Sequence, residues 1–265
     1  MIDNHIHTKL CKHAQGEVFE YVESAIKKGV KEITFTDHNP LPGNFDIAHR
    51  MNFEQMDIYA DWVRKAQDAY PEIKIGYGIE ADYYEGFEKF TESFLNKYDF
   101  DLVIMSVHYI KNWTLENWVF NFHFPEKSLS QVYKEYLNTV IKGVNTGLFD
   151  ILGHADLIKT KNESVLNTQT DLVNRLLSDL KKNNMAIEFN TSGYRKKACG
   201  PFPGLDWIPF IQKHNVAITT GSDAHLPEQV ALEFPQIYQI LINSGFKEIA
   251  TFSKRKIEFH PLNHL

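Results

Sequence analysis

Cysteine is scarce in this chain, whose 265 residues include only Cys11 and Cys199. Two cysteines this far apart in sequence offer little material for a disulfide framework, and they fit a reducing compartment. The chain does not start with a basic segment followed by an apolar one, and no apolar stretch approaches the ~18 residues that a membrane-spanning helix requires. We therefore expect a cytoplasmic protein with no signal peptide and no membrane partner.

Blocks of like charge are also absent, since no run of five or more residues of one sign occurs in the sequence. The net charge is −6 and the isoelectric point is about 6.1, so we do not expect a nucleic-acid partner. No internal repeat, low-complexity segment or linker divides the sequence. We expect one domain over residues 1–265, because α/β barrels routinely use ~250 residues as a single domain.

Short apolar runs alternate with amphipathic helical segments along the chain. The predicted strands are Ile2–His7, Glu32–Asp37, Ile73–Glu80, Leu102–Val107, Ile151–Gly153, Ala186–Asn190 and Val216–Thr220. The predicted helices are Glu17–Lys28, Phe53–Tyr70, Gly86–Tyr98, Ser128–Asn145, Thr170–Asn183, Gly204–His214 and Glu228–Asn243, the last one kinked at Pro235. Such alternation is typical of right-handed βαβ units around a parallel sheet. Seven units with polar residues at the strand ends favour a closed or nearly closed barrel.

Potential metal ligands lie at the ends of almost all of these strands. They are His5, His7, His13, His38, Glu80, His108, His154, Asp223 and His225. His5 and His7 are two positions apart on a strand and therefore point to the same face. An unpaired carboxylate such as that of Glu80 would be costly to bury at the end of an apolar strand, and a bound cation would remove that cost.

Each of these residues alone is weak evidence, because a single histidine is more often a surface or packing residue. Their repetition at the same end of successive strands is what indicates a site. Imidazoles and carboxylates gathered there can hold several divalent ions of the zinc, manganese or iron type. A site with several metal ions that activates water is suited to hydrolysing phosphate esters, so these residues predict a metallophosphoesterase.

Several stretches around the ligands resemble the polymerase-and-histidinol-phosphatase (PHP) family, and in particular its histidinol-phosphate phosphatase branch. The matching stretches are Asp3-Asn-His-Ile-His-Thr, Cys11-Lys-His-Ala, Phe35-Thr-Asp-His-Asn-Pro, Gly78-Ile-Glu, Ser106-Val-His, Gly153-His-Ala-Asp, Asn190-Thr-Ser-Gly-Tyr-Arg, Gly221-Ser-Asp-Ala-His and Phe252-Ser-Lys-Arg. The two His-containing stretches at residues 3–8 and 221–225 indicate the superfamily. The stretches that begin at Cys11 and Asn190 indicate the branch, and together the matches cover nearly the whole chain.

The resemblance implies an α/β fold, a distorted (β/α)7 TIM-like barrel with a trinuclear metal site at its C-terminal mouth. By this resemblance His5, His7, Glu80 and Asp223 hold one ion, Glu80 bridges to a second ion held by His108 and His154, and His13, His38 and His225 hold the third. Asp37 and Asp156 would orient ligating imidazoles through the nitrogen that faces away from the metal. A helix N-cap is an equally good interpretation of Asp156.

The reaction implied by the resemblance is hydrolysis of L-histidinol phosphate to L-histidinol and phosphate, in histidine biosynthesis. A metal-activated hydroxide would attack phosphorus, with Glu80 and Asp223 acting through the ions. Arg195 and Arg255 are the best candidates for binding the phosphate, because a guanidinium offers phosphate a bidentate fork. Lys159 is a weaker third candidate, and all three could instead be solvated cations at the barrel rim.

The amine and the imidazole of such a substrate would be suited by a carboxylate and an aromatic side chain. The carboxylate could be Asp82, Glu85 or Glu116, and the sequence does not decide among them. The aromatic side chain could come from the irregular stretch Tyr109–Lys127, which contains Trp113, Trp118, Phe120, Phe122 and Phe124 and could be a lid or a pocket wall. An equally good interpretation is a loop that buries its own apolar cluster. Of the remaining histidines, His49 and His123 are candidates for the pocket rim, whereas His214, His260 and His264 suit the surface or minor packing.

Three rival functions stay open on the sequence, as does the oligomeric state. A PHP-type exonuclease or nucleotide phosphatase would need a basic track or a stacking platform outside the mouth, and the acidic balance of the chain speaks against it. A scaffold whose metals only stabilise the fold should have lost ligands, and none is missing. A metallohydrolase barrel outside the PHP family would normally use two ions and often a carboxylated lysine, for which no strand end offers a candidate.

Overall fold

A computed structural model describes residues 1–114, 117–161, 164–196 and 200–262. Glu116, Cys199 and His264 therefore lie outside the described residues. The main sheet contains seven strands, β1 (Ile2–Ile6), β2 (Glu32–Phe35), β3 (Lys74–Asp82), β4 (Leu102–Ser106), β5 (Ile151–Leu152), β6 (Ala186–Asn190) and β7 (Ala217–Gly221). Each strand pairs in parallel with the next one along the chain. The predicted parallel order is confirmed.

Helices follow the strands and pack on the outside of the sheet. They are α1 (Val18–Lys27), α2 (Met56–Ala69), α3 (Glu88–Leu95), α4 (Leu129–Val144), α5 (Leu166–Lys182), α6 (Ile208–Lys213) and α7 (Phe234–Asn243). Capping residues fix the helix ends. At the start of α4 the Ser128 hydroxyl accepts a hydrogen bond from the backbone N–H of Gln131, and the Gln131 side chain accepts one from the backbone N–H of Ser128. Among the described helices, none combines the length and the apolar composition needed to cross a membrane.

The sheet curves into a nearly closed barrel through contacts between β1 and the segment after β7. Ile6 forms a parallel bridge with Ala224. The backbone N–H of His7 donates to the carbonyl oxygen of Ala224 at 3.0 Å, and the N–H of Ala224 donates to the carbonyl oxygen of His5 at 3.4 Å. The distorted (β/α)7 barrel is thus confirmed, and backbone bonds close it at the carboxyl end of its strands.

The interior of the barrel is apolar at one end and polar at the other. At the amino end, β8 (Glu248–Ser253) and β9 (Lys256–Pro261) form an antiparallel hairpin. Its Ala250 and Phe252 pack against Leu102, Ile104 and Ile151 inside the barrel. Towards the carboxyl end the interior is hydrogen-bonded, as in the 2.9 Å contact between Asn4 and Thr219. The barrel is therefore plugged at one end and polar at the other, where the predicted ligands lie.

Two local features differ from the sequence-based predictions. The hairpin was not predicted, because its turn residues Lys254 and Arg255 adopt positive φ angles of 48° and 65° without the Asn-Gly type of sequence that usually marks such a turn. The last helix begins at Phe234 rather than at Glu228, and Pro235 lies in its first turn. The predicted kink is wrong, since a proline in the first turn lacks only an N–H that the helix does not use.

Arg255 lies at the amino end of the barrel, opposite the predicted ligands. Its side chain contacts the carboxylate of Asp150 and donates to the carbonyl oxygen of Leu148 at 2.7 Å, and its backbone N–H donates to Asp101 at 2.8 Å. Asp101 and Asp150 directly precede β4 and β5. The prediction that Arg255 binds phosphate is therefore wrong, and its contacts instead hold the hairpin against the barrel.

We expect Arg255→Ala to lower the free energy of unfolding by about 1–3 kcal/mol, because the buried carboxylate of Asp150 loses its charged partner. Catalytic constants should stay at wild-type values, because the residue is remote from the other end of the barrel. Urea denaturation and steady-state kinetics measure the two effects, with Arg64→Ala, in an exposed pair with Asp61, as the control. A loss of catalytic efficiency without a loss of stability would contradict this assignment.

Candidate metal centre

The structure brings the nine predicted ligands together at the carboxyl end of the barrel. His5 lies in β1 and Glu80 in β3, while the others follow strand ends: His7 and His13 after β1, His38 after β2, His108 after β4, His154 after β5, and Asp223 and His225 after β7. Carboxyl ends of parallel strands in a barrel meet in one mouth. The residues that the sequence placed at strand ends are consequently neighbours in space.

Glu80 is at the centre of this group. Its Oε1 lies 3.1 Å from Nε2 of His154 and 3.5 Å from Nε2 of His5. Its Oε2 lies 2.7 Å from Nδ1 of His38 and 3.5 Å from Nε2 of His7. Burial would raise the pKa of Glu80, but the nearby imidazoles of His38 and His5 outweigh burial and hold this pKa well below its ordinary value. The group is therefore built around an ionised, buried carboxylate.

His13 and His225 lie beside this centre. Their Nε2 atoms are 2.9 Å apart, and the ring centroids of His7 and His225 are 4.1 Å apart. Nδ1 of His13 donates to the carbonyl oxygen of Cys11 at 2.8 Å, which leaves Nε2 directed at the cluster. Asp223 adds a carboxylate, with Oδ1 3.2 Å from Nε2 of His7. Nitrogen and oxygen atoms that could share an ion thus face one another.

Several buried atoms of the cluster lack a hydrogen bond of normal geometry. They are Nε2 of His5, both ring nitrogens of His7, Nδ1 of His38, Nδ1 of His154 and Oε2 of Glu80. Buried polar atoms are rarely left in this state in folded proteins. Among the described residues, five sets of ligand atoms lie within 4.8 Å of one another, and two of them include Cys11. The other three are His5, His7 and Glu80; His38, Glu80 and His108; and His7, His38 and His225. Imidazole nitrogens and carboxylate oxygens suit borderline divalent metals, so the residues fit such ions.

Glu188 in β6 orients two of the ligands, a role that the sequence analysis missed. Its Oε1 accepts a hydrogen bond from Nδ1 of His5 at 2.7 Å, and its Oε2 accepts one from the backbone N–H of His154 at 2.9 Å. A side chain at Gly221 would place its Cβ 1.9 Å from Oε1 of Glu188, so that only glycine leaves room for this contact. The available signal was a lone carboxylate within an otherwise apolar strand, the same signal that pointed to Glu80.

Asp82 performs the same task for another ligand. Its Oδ1 accepts a hydrogen bond from Nδ1 of His108 at 2.8 Å, and its Oδ2 accepts one from Arg50 at 2.6 Å. Asp82 is one of the three sequence-based candidates for binding the amine of a substrate, but both of its carboxylate oxygens are engaged. A second candidate, Glu85, forms an ion pair with Lys142 at 2.7 Å and does not line the cavity. These two candidates are therefore not supported in that role.

The two carboxylates predicted to orient imidazoles differ in outcome. Oδ1 of Asp37 lies 3.5 Å from Nδ1 of His7, which is the expected position. Asp156 instead accepts a hydrogen bond from the backbone N–H of Gly204 at 2.9 Å and lies 3.2 Å from Nζ of Lys159. Among the described residues no hydrogen bond or ion pair joins Asp156 to an imidazole, so the predicted orienting role of Asp156 is not supported. Lys159 is likewise engaged by Asp156 and does not line the cavity, so the structure does not support it as a phosphate ligand.

Carboxylates and burial shift the ring pKa values in opposite directions. Burial alone would lower the pKa of His5, but the carboxylates of Glu188 and Glu80 outweigh burial and raise this pKa well above its ordinary value. Burial dominates at His38 and lowers its pKa to about 4. Because metals bind the unprotonated imidazole, filling the site would release protons from groups such as His5.

A cavity of about 460 Å³ opens above the cluster. Besides seven of the predicted ligands, it is lined by Asp46, His49, Arg50, Trp118, Phe120, Ser192, Arg195, Lys196 and Gln229. The predicted position of His49 at the pocket is confirmed, whereas His123 is exposed and does not line it. Both interpretations of the aromatic stretch hold in part: Trp118 and Phe120 form a cavity wall, while Trp113, Phe122 and Phe124 pack against one another.

Besides Arg50, which is paired with Asp46 and Asp82, the cations Arg195 and Lys196 line this cavity. Nη2 of Arg195 donates to the carbonyl oxygens of Ser222 and Asp223 at 2.7 and 3.2 Å, while its buried Nη1 has no partner among the described residues. Lys196 was not predicted, although it directly follows Arg195 in sequence. Its Nζ lies 3.5 Å from Oδ2 of Asp223. Positive charge therefore lies beside the ligand cluster, where an anion could bind.

Residues 3–192 match the model of the PHP domain. The chain belongs to the PHP domain family. A protein of Deinococcus radiodurans named "Probable histidinol-phosphatase" is 33% identical over 259 residues, which cover 97% of this chain and 98% of that protein. The histidinol-phosphatase of Bacillus subtilis is 30% identical over 250 residues, which cover 84% of this chain and 92% of that one.

A solved structure of another protein has the same fold. It is histidinol phosphate phosphatase from Lactococcus lactis, complexed with zinc, L-histidinol and phosphate. The two chains have a TM-score of 0.83 at 24% identity, and the match covers 97% of this chain and 98% of that one. The predicted family is confirmed, and the relatives from Deinococcus radiodurans and Bacillus subtilis carry the name of the predicted branch.

We expect Glu188→Gln to weaken metal retention by about 10–100-fold, because the amide keeps the size of the side chain but loses the charge that orients His5. Elemental analysis after dialysis against graded chelator concentrations measures the effect. Glu85→Gln, which alters an exposed carboxylate away from the cavity, is the matched control. Equal retention by both variants would show that Glu188 does not support the metal ligands.

Proposed function

We propose that the protein is a metal-dependent phosphoric monoester hydrolase that converts L-histidinol phosphate to L-histidinol and phosphate. The observation that carries this proposal is that nine potential ligands lie together and that seven of them line one cavity with Arg195 and Lys196. This combination suits a phosphate group, which binds both metal ions and cations. The names of the relatives from Deinococcus radiodurans and Bacillus subtilis support histidinol phosphate as the substrate.

We further propose three divalent ions of the zinc, manganese or iron type. The first would be held by His5, His7, Glu80 and Asp223, the second by Glu80, His108 and His154, and the third by His13, His38 and His225. His38 lies between the second and third sets, since it also groups with Glu80 and His108. Ions bound here would neutralise phosphate charge and lower the pKa of water, so that water can attack phosphorus at neutral pH.

The cations and a hydroxyl of the chain would bind the phosphate. Arg195 is held by Ser222 and Asp223 through Nη2, and its unpaired Nη1 is available to a phosphate oxygen. Lys196 would take the role that the sequence analysis gave to Arg255, because it is the other cation beside Asp223. The buried hydroxyl of Ser192 also lines the cavity and has no partner among the described residues. These donors would fix the ester for in-line attack.

Hydrogen bonds behind the proposed ligands keep this arrangement in place. Glu188 and Asp82 hold Nδ1 of His5 and of His108, which leaves the Nε2 atom of each ring to bind an ion. The ligands come from residues 5–225, which supports the proposal that residues 1–265 act as one PHP-type unit. The cytoplasmic location stays a prediction.

We expect about three metal ions per chain to co-purify with active protein, because nine ligands can supply three or four to each ion when one is shared.

Glu80→Gln should nearly abolish turnover in metal-replete buffer, since an amide cannot supply the second negative oxygen of a bridging carboxylate. Elemental analysis and kcat measure the two outcomes, with circular dichroism to verify the fold. Fewer than one ion per chain in active protein would contradict the multi-metal proposal.

We expect Arg195→Ala and Lys196→Ala each to lower kcat/KM for L-histidinol phosphate by roughly tenfold to a thousandfold, the scale of one charge-assisted contact. Metal content should not change. Arg255→Ala is the matched control, because that cation lies at the other end of the barrel. Preferential cleavage of a short single-stranded oligonucleotide in a competition assay would favour the exonuclease alternative instead.

A further inference from the structure

Arg50 is a buried cation behind the proposed metal ligands, and only 2% of its surface is exposed. Its Nη1 donates to the carbonyl oxygen of Asn39 at 2.9 Å, and its Nη2 donates to Oδ2 of Asp82 at 2.6 Å. Nη2 and Nε also donate to Oδ2 of Asp46 at 2.7 and 3.2 Å. One planar guanidinium thus joins three separate segments of the chain, which its fork of donors allows and the single ammonium of a lysine would not.

Two of these segments carry ligands that we assign to different ions. Asn39 directly follows His38, which belongs to the third proposed ion set. Asp82 accepts hydrogen bonds from Nδ1 and from the backbone N–H of His108 at 2.8 and 3.3 Å, and His108 belongs to the second set. The backbone N–H of Asp82 also donates to Oδ1 of Asn39 at 3.1 Å. Arg50, Asn39 and Asp82 therefore form a closed triangle of contacts, which we call the arginine clamp.

The histidines of the first proposed ion set are held by other groups. Nδ1 of His5 is bonded to Oε1 of Glu188 at 2.7 Å, and Nδ1 of His7 lies 3.5 Å from Oδ1 of Asp37. Among the described residues, no hydrogen bond or ion pair joins the side chain of Arg50 to either histidine. The arginine clamp therefore supports ligands of two of the three proposed ions, and it does not support the histidines of the first.

We propose that Arg50 is a positioning residue that makes retention of the second and third ions depend on one group, so that these two ions are bound and lost together. The inference rests on the proposed function, because it concerns the ions which that function requires. Removing the guanidinium would free the backbone after His38 and the carboxylate behind His108 at the same time. Loss of a group that orients metal ligands typically weakens metal binding by about 10–100-fold.

Electrostatic repulsion adds to this effect. Nη2 of Arg50 is shared by the carboxylates of Asp46 and Asp82, both of which are largely shielded from solvent. Without the cation between them, two like charges would face each other in a buried site, which is unfavourable. Asp82 should then turn away from Asp46 and lose its geometry towards His108. The first ion should stay bound, because its histidines keep their own partners.

The test is a titration of the metal-free protein with cobalt(II), whose visible absorption reports the coordination of each bound ion. For the wild-type protein we expect three equivalents to bind, two of them together. For Arg50→Gln we expect one equivalent with the wild-type affinity and spectrum, and two that bind at least tenfold more weakly. Elemental analysis of zinc-loaded protein after dialysis against graded chelator concentrations should show the same selective loss of two ions.

Three further variants separate positioning from general destabilisation. Arg255→Gln removes an arginine that contacts a buried carboxylate at the other end of the barrel, and it should keep all three ions. Asp46→Asn alters the contact of Arg50 outside the arginine clamp, and it should keep them as well. Arg50→Lys retains the charge beside Asp82 but not the fork, so it should recover part of the loss. This variant carries the test if Arg50→Gln does not fold.

Four outcomes would overturn the coupling while leaving the metal-dependent function in place. They are unchanged cobalt(II) binding in the Arg50 variants, a uniform loss of all three ions, a loss of only one, and an equal loss in Arg255→Gln or Asp46→Asn. A wild-type protein that binds no cobalt(II) and hydrolyses L-histidinol phosphate without metal would instead overturn the proposed function, and the inference with it.

Discussion

The closure of the barrel and the assembly of the metal centre depend on the same backbone hydrogen bonds. Ala224 pairs with the backbone of His5 and His7, and it lies between Asp223 and His225 in sequence. Joining the first strand to the segment after the last one therefore brings two ligand pairs face to face. The positions of these four ligands are fixed by backbone pairing rather than by the conformation of a long loop. The 3.2 Å distance between Nε2 of His7 and Oδ1 of Asp223 follows from this closure.

Burying so many polar groups would destabilise the fold without the partners that the interior supplies. Glu188 and Asp82 are ionisable groups that contact imidazoles rather than solvent, and Gly221 leaves room for one of these contacts. Unpaired buried charges are costly, whereas paired and hydrogen-bonded ones are tolerated. The polar half of the barrel thus consists of groups that satisfy one another or face the cluster, and divalent ions would complete the set.

Much of the fold and of the site was predictable because both depend on periodicity and on strand ends. A ligand directly after a parallel strand must lie at the carboxyl end of the sheet, so His38, His108 and His154 could be assigned to one mouth. Arg255 could not be placed in the same way, since it follows a hairpin strand that runs outside the barrel order. Glu188 was missed because it lies within a strand, where the sequence does not show which carboxylate meets which imidazole. Lys196 was missed because a rim lysine and a ligand-binding lysine have the same local pattern.

The hairpin of β8 and β9 has a consequence for how the protein forms in the cell. Ala250 and Phe252 cover the apolar interior at the amino end of the barrel. They follow every proposed ligand in sequence and therefore leave the ribosome later. During translation, all seven barrel strands are therefore synthesised while Leu102, Ile104 and Ile151 still lack their cover. Exposed apolar surface on a partly made chain is what chaperones bind and what drives aggregation. The nascent barrel should thus be most vulnerable just before its last hairpin emerges, although its chemical machinery is by then complete.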